Sequence, residues 1–239
     1  MRPLTSRTQH ATWAILTCAL LAGIAAPASL LAADIYTLRL AGHDFEIPQR
    51  YFQDDVPGWL RWLPGLDDGS RDALLTIDAS EVAAAVPGFK PKDGGYIEDL
   101  RVRVVVLRDY EIPRYLDSKR RFSDIWNSTG SYSNRVIERD SETGLVRVYR
   151  AIEYPWSWEV FTVSPETETL SSDIFSFWLG HCLNGPSPIS STGYLAICHS
   201  HMVVGDIAMH FTVTGQNIDK IHRLRIYLAD LLSQWLKKQ

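Results

Sequence analysis

Three histidines in the last quarter of the chain have the residue type and spacing to do chemistry: His199, His201 and His210. Gly205-Asp206 separates two runs rich in β-branched residues, which predicts a hairpin with His201 opposite His210. Side chains alternate along a strand, so His199 falls on the same face. Three imidazoles so arranged could share Zn²⁺ or copper. The alternative is a solvent-facing surface of histidines and threonines.

Other features of the sequence weaken the metal interpretation. No carboxylate lies at a natural spacing to complete a hydrolytic site, and the chain has no His-Glu-x-x-His motif. His181 is the remaining candidate for a fourth ligand. Without a metal, neighbouring imidazoles would respond to pH near 6–7, because imidazolium groups repel each other. We therefore expect no cofactor, with zinc as the alternative.

The first 33 residues have the pattern of a secretory signal peptide. Arg2 and Arg7 precede an apolar run at 11–26 and a stretch of small residues, with cleavage expected after Ala28 or Ala33. The run is shorter than the roughly 20 residues that a membrane-spanning helix needs. We expect a periplasmic protein without stable membrane insertion. Removing residues 1–33 leaves 22 basic and 28 acidic residues, a net charge of −6.

Two cysteines remain in the exported chain, Cys182 and Cys198, and they enclose 15 residues rich in proline, glycine and serine. The periplasm oxidises thiols. The pair therefore predicts a disulfide, which would stabilise the fold by about 3 kcal/mol in the chain-entropy model.

An acidic, tryptophan-bearing segment at 54–68 is the predicted partner-binding surface. Its residues are Trp59, Trp62, Asp54, Asp55, Asp67 and Asp68. Tryptophan anchors surrounded by charge are typical of protein-binding surfaces, and acidic neighbours favour a basic partner. The alternative is that the two indoles cover one end of the sheet. Trp158, Trp178 and Trp235 lie in apolar patterns and are expected in the core.

Composition and motifs exclude several classes of function. The chain has 239 residues, 46% apolar and 22% charged, which is ordinary globular composition. No run of Lys or Arg is long enough to follow a phosphate backbone, so we expect no nucleic acid partner. No nucleophile elbow, phosphate-binding loop or dinucleotide fingerprint is present, and we expect no enzymatic activity.

Most of the elements predicted around these residues are strands. Hairpins are predicted at 35–47, 135–152 and 194–214, further strands at 101–107, 158–163 and 174–179, and a short helix at 80–86 with Ser80 as its N-cap. From Gln216 apolar residues recur every three or four positions, which predicts an amphipathic helix capped by Asn217. The prediction is a single α+β domain over 34–239, an antiparallel sheet built largely of hairpins with the C-terminal helix packed on it.

The layout of the chain resembles a known class of proteins. A leader, a strand ending in Phe45-Glu46-Ile47-Pro48 with Tyr51 after it, late Cys182 and Cys198, a hairpin and a terminal amphipathic helix are similar to uncharacterised periplasmic proteins that accompany type VI secretion effectors as immunity proteins. The resemblance implies a non-enzymatic inhibitor that binds a toxic effector enzyme. No functional residue carries over. A metal-binding protein and an envelope-associated factor that binds a lipid or glycan remain alternatives.

Overall fold

Alternating apolar and polar residues build an antiparallel sheet in this computed structural model, which describes residues 35–52, 72–93, 96–106, 118–170, 173–186 and 194–237. The strands in these ranges are β1 (Ile35–Leu40), β2 (His43–Pro48), β3 (Asp72–Ile77), β4 (Lys92–Asp93), β5 (Tyr96–Ile97), β6 (Leu100–Val106), β7 (Val136–Arg139), β8 (Val146–Tyr149), β9 (Ser157–Phe161), β10 (Trp178–Pro186), β11 (Tyr194–Val204) and β12 (Ile207–Thr214). The helices are α1 (Ala79–Ala85), α2 (Ser118–Asn127) and α3 (Ile221–Trp235).

Eight of the strands form one antiparallel sheet in the order β3-β6-β12-β11-β10-β9-β8-β7. The strands β1 and β2 form a separate hairpin, as do β4 and β5. The predicted α+β class with an antiparallel, hairpin-rich sheet is confirmed. Within the described ranges, no helix is long and apolar enough to cross a membrane.

The register of the β11–β12 hairpin is the one predicted from its two-residue turn. Val204 pairs with Ile207, His201 with His210, and Cys198 with Val213. Because side chains alternate, the even-numbered residues of β11 lie on one face of the sheet and the odd-numbered ones on the other. We call these the disulfide face and the histidine face.

The disulfide face carries the larger core, and α3 packs on it as predicted. Leu224, Leu228 and Trp235 of the helix are buried against side chains of the sheet. The β1–β2 hairpin covers the end of the helix, where the backbone of Lys237 donates to Asp44. The ring of Trp235 lies 5.2 Å from that of Tyr51.

The histidine face carries a second apolar cluster, formed with a helix that the sequence patterns did not predict. Helix α2 buries Phe122 and Ile125 against Phe161 and Trp178. Its other residues are mostly polar or charged, so three apolar side chains in ten residues give a weak periodic signal. The interpretation of this face as simply solvent-exposed is therefore wrong.

Both predicted helix caps need correction. Asp78, not Ser80, caps α1, and its carboxylate accepts a hydrogen bond from the backbone N–H of Ser80 at 2.7 Å. Asn217 lies in a 3₁₀ turn, Gly215–Lys220, that precedes α3. Its side chain is fully buried and bonds the backbone of Lys90 and the carboxylate of Glu98. The Asn217 amide thus links the 3₁₀ turn to Lys90 and Glu98, whereas the sequence predicted a local helix cap.

Cys182 and Cys198 form a disulfide between directly paired positions of β10 and β11, with Cα atoms 4.0 Å apart. Both residues are buried in the core of the disulfide face. The bond therefore ties the β10–β11 pair at the centre of the sheet.

Replacing both cysteines, Cys182→Ala with Cys198→Ala, should lower the free energy of unfolding by about 3 kcal/mol, because the unfolded chain regains the freedom of the closed loop. Urea unfolding followed by circular dichroism measures the change. An unaltered unfolding midpoint would show that the bond contributes nothing to stability.

Candidate functional site

The three histidines come together, but as a stack. The rings of His201 and His210 are 4.6 Å apart and those of His199 and His210 5.5 Å, with interplanar angles of 23° and 16°. Trp178 continues the stack on His201 at 5.9 Å. Nitrogen lone pairs lie in the ring planes, so parallel rings do not direct them at a common point. In the described ranges no group of three or more His, Cys, Asp or Glu could hold a metal. The geometry gives no support to the zinc alternative.

Burial keeps these imidazoles neutral. It lowers the pKa of His201 to about 2, with further contributions from His210 and Arg225, and the pKa of His210 to about 4. Burial, with His181 nearby, also lowers the pKa of His199. At neutral pH the stack behaves as aromatic packing with polar edges.

Next to this stack lies a buried carboxylate that the sequence patterns did not single out. Glu159 is 1% exposed and accepts hydrogen bonds from Trp178 Nε1 at 2.8 Å, His181 Nδ1 at 2.9 Å and the guanidinium of Arg121. Burial alone would raise the pKa of Glu159, but Arg121 and His181 outweigh it and hold that pKa below its ordinary value. A single acid between Trp158 and Val160 on a strand has no local signature, because its partners come from β10 and α2.

Ser157 extends this network towards solvent, with Oγ 3.3 Å from His181 Nε2. Serine, histidine and carboxylate thus follow one another in the order seen in hydrolase triads. However, Arg121 Nη2 lies 3.2 Å from His181 Nδ1 and also binds Glu159. A cation in that position opposes the positive charge that a histidine base must take up. The network is therefore suited to holding β9, β10 and α2 together.

A group of exposed residues between β8 and β9, which we call the aromatic patch, consists of Arg150, Ile152, Tyr154 and Trp156. Ile152 is 76% exposed, Trp156 49% and Tyr154 43%. The rings of Tyr154 and Trp156 are 5.1 Å apart, and the Arg150 guanidinium carbon lies 5.6 Å from the Tyr154 ring centre. The carbonyl of Trp156 accepts the backbone N–H of Asn184 at 2.7 Å, which ties the patch to β10.

A cleft of about 630 Å³ opens on the disulfide face, and we call it the disulfide cleft. Its floor contains Cys182, Cys198, Trp158 and Val160. One side is the turn between β7 and β8, and the other is the 3₁₀ turn Gly215–Lys220. The floor is thus mainly apolar, whereas most of the polar lining groups belong to the two turns.

The predicted partner-binding residues Trp59, Trp62, Asp54, Asp55, Asp67 and Asp68 lie outside the described residues. The predictions for three other tryptophans are confirmed: Trp158, Trp178 and Trp235 are all buried. The alternation of 154–158 predicts Trp156 and Trp158 on one side of an extended segment, and this is wrong for Trp156. It lies in the turn before β9 and is exposed, whereas Trp158 is buried.

Comparison with known proteins finds similarity to a solved structure. No family model matches the chain, and no curated protein matches its sequence. An immunity protein of the Stenotrophomonas maltophilia type IV secretion system is similar, with 12% identity, a TM-score of 0.48, and coverage of 85% of this chain and 94% of that chain. The neighbour belongs to a type IV system, not the type VI systems of the layout resemblance. At this TM-score the likeness transfers neither residues nor function.

Replacing Glu159 by Gln should destabilise the fold by about 1.5–3 kcal/mol, because Arg121 and His181 lose a charged acceptor. Chemical denaturation measures this loss. The matched control is Glu166→Gln, an exposed glutamate whose replacement should change stability by less than about 0.5 kcal/mol. Equal stabilities of the two variants would contradict a structural role for Glu159.

Acidification should unfold the protein partly through the histidine stack. Since His201 and His210 have a lower pKa when folded than the ordinary 6.5, the unfolded chain binds protons more readily. Their contribution is complete above about pH 6.5 and is lost as the pH falls towards 4. Melting temperatures between pH 7.5 and 4.5 test this. The double variant His201→Gln with His210→Gln should show a smaller decrease than the unaltered protein, and an equal decrease would contradict it.

Proposed function

We propose that the chain is an exported, non-enzymatic binding protein of the immunity type, which inhibits a toxic enzyme by binding it through the aromatic patch. The observation that carries the proposal is the composition and exposure of this patch. Tryptophan, tyrosine and arginine are the residue types most enriched among those that dominate binding energy. Here one of each lies in contact within seven residues, beside an isoleucine that is 76% exposed.

The patch is also held in place before any partner arrives. Tyr154 N–H donates to the carbonyl of Ala151 at 3.0 Å, and Trp156 is linked through its carbonyl to β10. The ring contact of Tyr154 and Trp156 restricts both side chains. Binding therefore costs less side-chain entropy than it would for separate, mobile residues.

The charge and the leader support a partner that is a protein in the periplasm. Without residues 1–33 the chain carries a net charge of −6, which favours encounter with a basic enzyme. Glu153, which lies between Ile152 and Tyr154 of the patch in the chain, is exposed and contributes one of these negative charges. The acidic segment at 54–68 is a second contact surface in this proposal.

The binding test uses a secreted toxic enzyme, sought first in the gene adjacent to this one, and expresses it in the periplasm of a host that it inhibits. Co-export of the unaltered chain should restore growth. Tyr154→Ala with Trp156→Ala should abolish rescue and weaken the Kd, measured by calorimetry, by about 100-fold or more, as expected for two hot-spot side chains. The control Ile226→Ala, an exposed apolar position on α3, should leave both readouts unchanged. Full rescue by the double variant would contradict the patch as the binding surface.

Export has its own test. Mass spectrometry of the periplasmic fraction should find a chain beginning at Ser29 or Asp34, with Cys182 and Cys198 oxidised. A full-length chain beginning at Met1 and confined to the cytoplasm would contradict export.

A further inference from the structure

The disulfide cleft is not used by the proposed function, and its two sides share a chemical feature. On one side Arg147 Nη2 lies 2.5 Å from Asp140 Oδ2. On the other side Lys220 Nζ pairs with the carboxylate of Asp219. Each side therefore presents a cation and an anion that already neutralise each other.

The remaining charges of the cleft also cancel. Lys90 adds one positive charge and Glu142 one negative charge, so the lining holds three cations and three anions. A small charged ligand would be repelled by a group of its own sign next to every group that attracts it. A neutral ligand with many hydroxyl groups can donate to the carboxylates and accept from the cations, and hydrogen bonds to charged groups are the stronger ones.

Amide and aromatic groups complete the lining. Asn184 lies in the cleft, and Gln216 lines it while its Nε2 donates to the carbonyl of Lys92. The half-buried Tyr149 lines the cleft, and its ring centre lies 5.8 Å from that of the buried Trp158 on the floor. The accessible part of the Tyr149 ring offers apolar surface to the C–H face of a sugar. The cleft volume, about 630 Å³, falls in the ~300–1,000 Å³ range typical of small-molecule sites.

We propose that the disulfide cleft binds a neutral oligosaccharide. The paired charges and amides supply hydrogen bonds, the Tyr149 ring supplies stacking surface, and the disulfide between β10 and β11 keeps the floor rigid. This site lies on the disulfide face and shares no residue with the aromatic patch, so either proposal can fail without the other.

Three tetrasaccharides that differ in charge test the proposal with the purified exported chain in isothermal titration calorimetry. They are the neutral tetramer of N-acetylglucosamine, the cationic tetramer of glucosamine and the anionic tetramer of galacturonic acid. The neutral tetramer should bind at least about ten-fold more tightly than either charged one, a difference of about 1.4 kcal/mol. Absence of binding by the neutral tetramer at millimolar concentration, or equal binding of all three, would overturn the proposal.

Two variants locate the binding. Asn184→Leu should weaken the neutral tetramer about ten-fold, while the matched control Gln234→Leu, an exposed amide on α3, should leave its affinity unchanged. Glu142→Lys makes the cleft net positive and should increase the affinity for tetragalacturonate relative to the neutral tetramer. An unchanged affinity in Asn184→Leu, with no shift of preference in Glu142→Lys, would show that the sugar binds elsewhere.

Discussion

Strand β11 pairs with β10 on one side and with β12 on the other, and the register of these two pairings fixes both cores and the candidate sites. A strand that slips by one residue exchanges its two faces. Here such a slip would move Cys198 away from Cys182 and expose the floor of the disulfide cleft. The disulfide opposes a slip of β11 against β10, and the two-residue Gly205-Asp206 turn opposes a slip of β11 against β12.

This register gives the two faces of the sheet different roles. The disulfide face holds the main core under α3 and, beyond it, the open cleft. The histidine face holds the imidazole stack and the bonded carboxylate of Glu159, and Trp178 of the α2 cluster contacts both. The aromatic patch lies where the chain enters β9, and the strand that follows it carries Glu159. The buried network around Glu159 thus holds β9 in place directly after the exposed aromatic patch.

Most of the architecture could be predicted from the sequence, because hairpins leave local signals. The β11–β12 register followed from its turn, and α3 followed from apolar spacing. Helix α2 and the buried hydrogen bonds of Asn217 could not be predicted, since the contacts that stabilise them come from residues distant in the chain. For the same reason the candidate sites could not be predicted from the sequence. Glu159, Arg147 and Asp219 are ordinary charged residues until the sheet brings their neighbours together, whereas the conspicuous histidines turn out to be packed rings.

Hydrogen–deuterium exchange tests the assignment of protein binding most directly, on the chain alone and in complex with the secreted enzyme that it neutralises in the growth test. We expect slower exchange at the amides of residues 150–157 on complex formation, with little change around Gly215–Lys220 at the disulfide cleft. Slower exchange confined to the cleft, with residues 150–157 unaffected, would contradict the assignment of protein binding to the aromatic patch.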